Sequence, residues 1–427
     1  LKERLSPEII DLLKKLGNTA DRLNFKAYAV GGFVRDILLR RENDDIDIVI
    51  EGDGIQFARE FAHEYGCTYR SHMKFGTAVI LFPDGFKVDV ATARTEYYER
   101  PGALPVVEVG SIKLDLYRRD FTINTLALSL NEKVFGELLD FFGAQRDIKD
   151  KTIRVIHNLS FVEDPTRILR AIRFEQRFGF KIGKDTLNLI HNAIEMNFLD
   201  KLDGRRLFNE FSLLLKEEKP LLGLKRMEEL GVMESIHPRL SIDSKKEELL
   251  KAIDGVFSWY DLLFIEDKYE RWVVYFYGLI DSLPNHEVKE ICRRFSFSHA
   301  ESERIVKKKT SADKTISLMQ REKKLTPSEI FKLLEPLDTE MLLYMIARTE
   351  NRNIKRAISH YMTKLRGTKA PINGDDLKEV GLSPGPIYKQ ILDEVRDAML
   401  DGKITGHDDA IEYVRRKLSF QKGEVFH

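Results

Sequence analysis

Tyr28-Ala29-Val30-Gly31-Gly32-Phe33-Val34-Arg35-Asp36, followed by Asp45-Ile46-Asp47, is the stretch whose local chemistry decides the fold. Residues 27–30 are a short apolar run that reads as a strand. Residues 33–40 place Val34, Ile37 and Leu38 on one face of a helix. Gly31-Gly32 joins them, and paired glycines let backbone N–H groups approach an anion at a helix N-terminus, where free amides and the dipole favour phosphate. Arg35, about one turn past Gly32, is placed to add a charge-assisted bond to the same phosphate. Residues 45–50 alternate as a strand does, so Asp45 and Asp47 project from one face. Two like charges so close repel unless a cation lies between them. Mg²⁺ takes one or two carboxylates and completes its shell with substrate phosphates. A metal-bridged nucleoside triphosphate is therefore the expected occupant. A lone Gly-Gly is an ordinary turn and a lone Asp-x-Asp is an ordinary solvated strand end. Their succession on a strand–turn–helix–strand frame is what favours the functional reading.

The rest of the composition sets bounds. The chain has 427 residues, room for about two to four domains with real cores. Lys+Arg and Asp+Glu stand at 69 each, so any basic surface for nucleic acid must be local. No segment approaches the length and apolarity of a membrane span. The charged start Leu1-Lys2-Glu3-Arg4 shows no signal peptide and lacks Met, which suggests a piece of a longer chain. Cys67 and Cys292 offer neither a disulfide framework nor a zinc pattern, and a cytoplasmic location is expected.

Along the chain, residues 6–24 read as an amphipathic helix opened by Ser6-Pro7-Glu8. Residues 55–65 are helical, and 77–82 and 86–90 form a hairpin around Pro83-Asp84-Gly85. Asp89, between Val88 and Val90, is one candidate for a third carboxylate that binds metal or takes the proton of an attacking hydroxyl. Residues 94–115 contain Pro101-Gly102 and Pro105 with weak periodicity and read as a long loop, a kind of segment that is usually functional. In Arg118-Arg119-Asp120-Phe121-Thr122-Ile123-Asn124, Arg119 suits a triphosphate or ribose and Asn124 a sugar hydroxyl. Asp120 suits the metals or a lock on Arg119, or a structural salt bridge. Asp120 and Asp89 stay open as alternative third carboxylates. Beyond residue 150 the pattern is helical. Asp164 before Pro165 is a good N-cap, and Arg167, Arg170 and Arg173 recur every three residues along one side of the helix that follows.

The run from Val30 to Leu39 with Asp45-Ile46-Asp47 resembles the head signature of class II nucleotidyltransferases, which comprise the bacterial tRNA CCA-adding, CC-adding and A-adding enzymes and bacterial poly(A) polymerase. Further segments resemble the same family. They are Arg118 to Asn124, the hinge-like Leu138 to Lys149, Glu163 to Phe174, and near the end Ile372 to Leu377 and Gly381 to Tyr388. The hinge has Gly143-Ala144 where the family usually has two glycines. Arg94-Thr95-Glu96-Tyr97-Tyr98 with Arg100-Pro101-Gly102 resembles the flexible loop that accompanies addition of the terminal A. It is not shortened as in CC-adding members.

The resemblance implies an α+β fold: an N-terminal nucleotidyltransferase head with a small mixed β-sheet flanked by helices, then an all-helical neck, body and tail. The expected divisions are 1–25 (N-terminal helix), 26–150 (head), 151–215 (neck), 216–300 (body) and 301–427 (tail). It implies two Mg²⁺ ions on Asp45 and Asp47, with Gly31, Gly32 and Arg35 cradling a triphosphate. Asp164 and Arg167 would be the base-reading pair, with Arg170 and Arg173 close by. The chemistry suits that role. A carboxylate accepts from the exocyclic amino group of C or A, and an arginine donates to the neighbouring ring atom. Uracil and guanine would instead face the carboxylate with a carbonyl oxygen. The implied partners are ATP, with CTP as a second nucleotide, and the 3′ end of tRNA through its acceptor–TΨC arm. The helical C-terminal part would read that arm by shape, and the basic patch at 302–314 is a candidate backbone contact.

A-adding and CCA-adding stay equal expectations. The spelling around Arg100 to Ala103 and Ile153 to His157 is similar to A-adding sequences. A poly(A) polymerase would be expected to carry a long basic extension. A non-catalytic tRNA-binding module is opposed by the intact Asp45 and Asp47. A phosphohydrolase built on His407-Asp408 lacks partner histidines, and that pair reads as a helix cap.

Overall fold

The computed structural model describes residues 4–97, 106–322 and 324–423. The chain packs as two compact units, one up to Pro238 and one from Arg239 on.

The first unit opens with α1 (Pro7–Arg22), capped by the Ser6 hydroxyl with Pro7 in the first turn. Then come β1 (Lys26–Val30), α2 (Gly32–Leu39), β2 (Ile46–Glu51), α3 (Gly54–Tyr65), β3 (Thr68–His72), β4 (Thr77–Leu81) and β5 (Lys87–Thr92). After β6 (Arg94–Tyr97), β7 (Val106–Val109) and α4 (Ile112–Tyr117) follow β8 (Leu126–Ser129), β9 (Leu138–Asp140) and α5 (Ala144–Lys149). A seven-stranded mixed sheet runs in the order β3-β4-β5-β2-β1-β8-β9, with β2 and β5 parallel and the other pairs antiparallel.

Strand alternation sorts the two faces. Ile46, Ile48, Ile50, Val88 and Val90 turn into the main core with Leu13, Leu16 and Ala20 of α1 and Phe57 and Phe61 of α3. Burying such side chains is worth about 1.5–3 kcal/mol each, which holds the helices to this face. The opposite face carries Tyr28, Val30 and Val49, packed with Ile112 and Leu116 of α4. By the same alternation Asp47 and Asp89 belong to this second face, away from the helix-packed core.

Several expectations are corrected here. Residues 94–115 are not one loop: β6 and β7 pair as an antiparallel ribbon rooted on the sheet, and α4 follows directly. Tyr98, Arg100, Pro101, Gly102, Ala103 and Pro105 lie outside the described residues. The edge strand β3 escaped the sequence reading because all five of its residues are exposed, which leaves no apolar alternation to read. At the hinge only Gly143 takes a left-handed conformation (φ 78°). Ala144 is buried in the first turn of α5, so the second glycine of the family pattern is not needed for this turn.

The unit continues with α6 (Ser160–Glu163), α7 (Thr166–Phe178), α8 (Lys184–Glu195), α9 (Gly204–Leu215) and α10 (Pro220–Glu229). A short parallel pair, β10 (Thr152–Ile153) with β11 (Lys181–Ile182), ties the chain before α6 to the end of α7.

The second unit is helical among its described residues, from Ser244–Asp261 to His407–Gly423. Its core includes Phe257, Tyr277, Phe295 and Tyr344. The basic run at 302–314 lies on the helix His299–Arg321. Part of that run is internal: Lys309 is buried, and Lys308 pairs with Asp338. His407 bridges Asp376 and Asp408. No helix among the described residues is long and apolar enough to cross a membrane.

Candidate active site

A cleft of about 1170 Å³ opens in the first unit, and the sequence-predicted residues meet there. Asp45, Asp47 and Asp89 line it, as do Arg119, Asp164 and Arg167. Asp45 stands one residue before β2, exposed, with its backbone N–H held by the Asn43 side chain. Asp47 is half-buried within the strand. Asp89 lies directly beside Asp47, because the parallel β2–β5 ladder pairs those two positions. Burial pushes the Asp47 carboxyl up to about 6; the nearby Arg119 works against this, while Asp45, Asp89 and Asp115 add to it. Burial and Asp45 raise Asp89 as well. Three mutually repelling hard-oxygen donors form a set that a divalent cation would relieve. Among the described residues no three His, Cys, Asp or Glu side chains converge enough to cage an ion unaided.

Gly31 sits at the turn with φ 71° and ψ −134°. A Cβ there would stand 2.6 Å from Arg119 Nη1 and 3.6 Å from Asp47 Oδ2, so the glycine is required twice, by backbone and by space. Its own N–H is spent on the Leu126 carbonyl (3.3 Å), which leaves the next amide, Gly32, in the helix's first turn for an anion. A Cβ on Gly32 would meet nothing closer than Arg35 Nη2 at 3.5 Å.

The arginines divide into engaged and available. Arg35 lines the cleft with three of its five N–H donors already engaged. Its Nε and Nη2 are held by Asp36 (2.8 Å each), its Nη1 by Asn124 Oδ1 (2.6 Å), and its plane lies 4.5 Å from the Phe178 ring centre. Asn124, also in the cleft, donates from its amide nitrogen to Asp120 Oδ1 (2.9 Å), which uses one of its two N–H donors. Asp120 locks Arg170 rather than Arg119, taking Nε at 2.9 Å and Nη2 at 2.6 Å, while its other oxygen accepts from the Phe121 N–H and Asn124. Burial alone would raise its pKa, but Arg170, Asn124 and the Phe121 amide together hold it below the ordinary value. With four donors on it, Asp120 is a fastener, and of the two third-carboxylate candidates Asp89 is the one beside Asp47. Arg119, in contrast, is held among the described residues through Nη2, by Asp115 at 3.2 Å.

On the helical side, the arginines of α7 are not a solvated face. Arg167 is 4% exposed, donating to Ser160 Oγ (2.7 Å) and to the Arg118 carbonyl (2.9 Å). Arg170 and Arg173 share Glu210 of α9 at 3.1 and 3.3 Å. Asp164 stands one residue before Pro165, the N-cap position of α7, and its Oδ1 accepts from the Thr166 N–H (3.0 Å) and hydroxyl (2.6 Å) and pairs with Arg206 (3.0 Å). These contacts all fall on Oδ1, so binding the helix start and reading a base can coexist on one carboxylate. Asp36, Asp115, Arg206 and Glu210 were missed from the sequence. Only Asp115 had a readable signal, its spacing of three and four residues from Arg118 and Arg119 on a helix.

Comparison with known proteins agrees with this geometry. Residues 27–154 match the family described as Poly A polymerase head domain. Residues 179–243 match the one described as probable RNA and SrmB-binding site of polymerase A. The A-adding tRNA nucleotidyltransferase of Geobacter sulfurreducens is 49% identical over 97% of this chain, and that of Aquifex aeolicus 38% over 88%. The chain spans 48% and 45% of those two proteins, about half their length. The solved Thermotoga maritima CCA-adding enzyme complexed with tRNA_CCA superimposes with a TM-score of 0.73 at 34% identity, covering 97% of both chains. With the cleft, the acidic face and these likenesses together, the chain belongs to the class II tRNA nucleotidyltransferase family.

Proposed function

We propose that this chain is the catalytic portion of an enzyme that adds the 3′-terminal A, or the whole CCA, to tRNA from ATP and CTP without a nucleic-acid template. The observation that carries this is the meeting of Asp45, Asp47 and Asp89 with Arg119, Asp164 and Arg167 around one cleft. The 49% and 38% identical relatives are both named A-adding, which favours the A-adding form.

Asp45 and Asp47 would hold two Mg²⁺ ions, with Asp89 beside them. Magnesium bound there supplies Lewis-acid activation of the attacking hydroxyl and neutralises charge at the triphosphate. The residues of the chain do the rest. The Gly32 amide and the unengaged nitrogens of Arg119 receive phosphate oxygens. Asp89 is placed to take the proton of the 3′-hydroxyl. Asp164 Oδ2 accepts from the exocyclic amino group of the incoming base, and Arg167 stands one turn away to donate. The network through Asp120, Arg170 and Glu210 keeps the carboxylate sheet and the base-reading helix in register. Head, neck, body and tail divisions at 26–150, 151–215, 216–300 and 301–427 follow the same reading, with the helical remainder gripping the acceptor–TΨC arm. A tRNA substrate and two free cysteines suit a cytoplasmic setting.

The test is incubation with tRNA ending at the discriminator base, in C or in CC, each nucleotide supplied singly. Extension of the CC-ended substrate alone, by one A, is the expected result. Stepwise extension of all three means CCA addition, unlimited A tracts mean poly(A) synthesis, and binding without extension would sink the enzymatic reading.

A further inference from the structure

Asp115 lies on α4 with 0% of its surface exposed. A carboxylate this deep is costly unless its oxygens are fully used. Oδ1 accepts from Arg118 Nε at 3.0 Å and Nη2 at 2.7 Å, and from the Arg94 backbone N–H at 3.4 Å. Oδ2 accepts from Arg119 Nη2 at 3.2 Å. Arg118 passes the constraint on, since its carbonyl takes Nη2 of Arg167. One buried carboxylate thus gathers both consecutive arginines and the root of the β6–β7 ribbon.

The consequence falls on Arg119. Its Nη1 hangs 2.6 Å from where a Gly31 Cβ would stand, close by Asp47, and its Nε is buried without a hydrogen-bond partner. A guanidinium gripped by one terminal nitrogen can still present the other to a phosphate.

We propose that Asp115 is a positioning residue for nucleotide addition: it holds Arg119 by Nη2, so that Nη1 stays turned to the triphosphate at the Gly31 turn. The proposal rests on the nucleotide-addition reading above. Asp115 touches no substrate; it acts through Arg119.

The experiment uses the full chain with CC-ended tRNA and ATP. Asp115→Asn keeps the shape and removes the charge, and the KM for ATP is expected to rise about ten- to a hundredfold while the KM for tRNA stays within about twofold. Asp115→Glu, which restores the charge on a longer arm, should recover part of the loss. A carboxylate with only a structural role would lower the unfolding temperature and leave the ATP KM of the folded enzyme unchanged; that result overturns the proposal. If Asp115→Asn does not fold, Asp115→Glu decides by the same split: a changed ATP KM with unchanged tRNA KM supports it, and an unchanged ATP KM overturns it. Wild-type protein run alongside keeps the two questions apart, because its failure to incorporate nucleotide would strike the activity reading and not the role of Asp115.

Discussion

Asp120 grips Arg170 with both guanidinium nitrogens on one oxygen, Nε at 2.9 Å and Nη2 at 2.6 Å. This bond is the middle of a continuous polar chain. Asp36 holds Arg35, Arg35 holds Asn124, Asn124 holds Asp120, and beyond Arg170 lie Glu210, Arg173 and Glu217. The chain links α2, under the glycine turn, to α7, the helix that carries Arg167.

Asp120→Asn is therefore expected to cost stability and not metal. Removing one partner of a buried pair leaves the other charge uncompensated, about 3 kcal/mol. The pH dependence has a definite sign. The Asp120 carboxyl is held below its ordinary value, so its contribution is present at neutral pH and lost as pH falls through the depressed value. Urea unfolding of wild type and variant should differ near pH 7 and converge in acid, with magnesium affinity little changed.

Asp47 behaves oppositely. Its carboxyl is pushed up to about 6, chiefly by burial. A raised carboxyl favours the folded state below its unfolded value near 4 and penalises it above about 6. Metal-free Asp47→Asn should thus melt about 3–6 °C higher than wild type at pH 7.5 and no higher at pH 4. Magnesium should stabilise the wild type and not the variant. Wild-type activity should show an acid limb near pH 6 that moves lower as magnesium is raised, because metal competes with the proton.

Gly31 and Gly32 should respond differently to alanine. Gly31→Ala meets both a left-handed backbone and a contact at 2.6 Å with Arg119 Nη1, and should lose about 1–2 kcal/mol together with ATP affinity. Gly32→Ala has ordinary room at 3.5 Å and should fold as well as wild type. Equal losses in calorimetry and ATP titration would contradict the seat described above.

Asp164→Ala removes the acceptor of the Thr166 N–H at the start of α7, worth about 1 kcal/mol, and also the oxygen that would accept from the base. Incorporation of UTP relative to ATP should rise about tenfold or more. Arg206→Ala, which takes away the guanidinium paired with Oδ1, should cost less stability than Asp164→Ala while loosening nucleotide choice. Single-nucleotide incorporation assays read both.

The sequence by itself determined what is local. Gly31-Gly32 had to be a turn, Asp47 had to face away from Ile46 and Ile48, and Asp164 had to start a helix, because backbone freedom, strand period and capping act over a few residues. Tertiary structure alone decided which polar groups remain available. Asp89 stands beside Asp47 through the register of strands that are neighbours in space but separated along the chain by α3, β3 and β4. Arg35 and Asn124 bond each other across 89 residues, while Arg119 brings its Nη1 to the Gly31 turn. A side chain's free valences depend on every partner that folding brings within about 3 Å, and spacing along the chain does not record them.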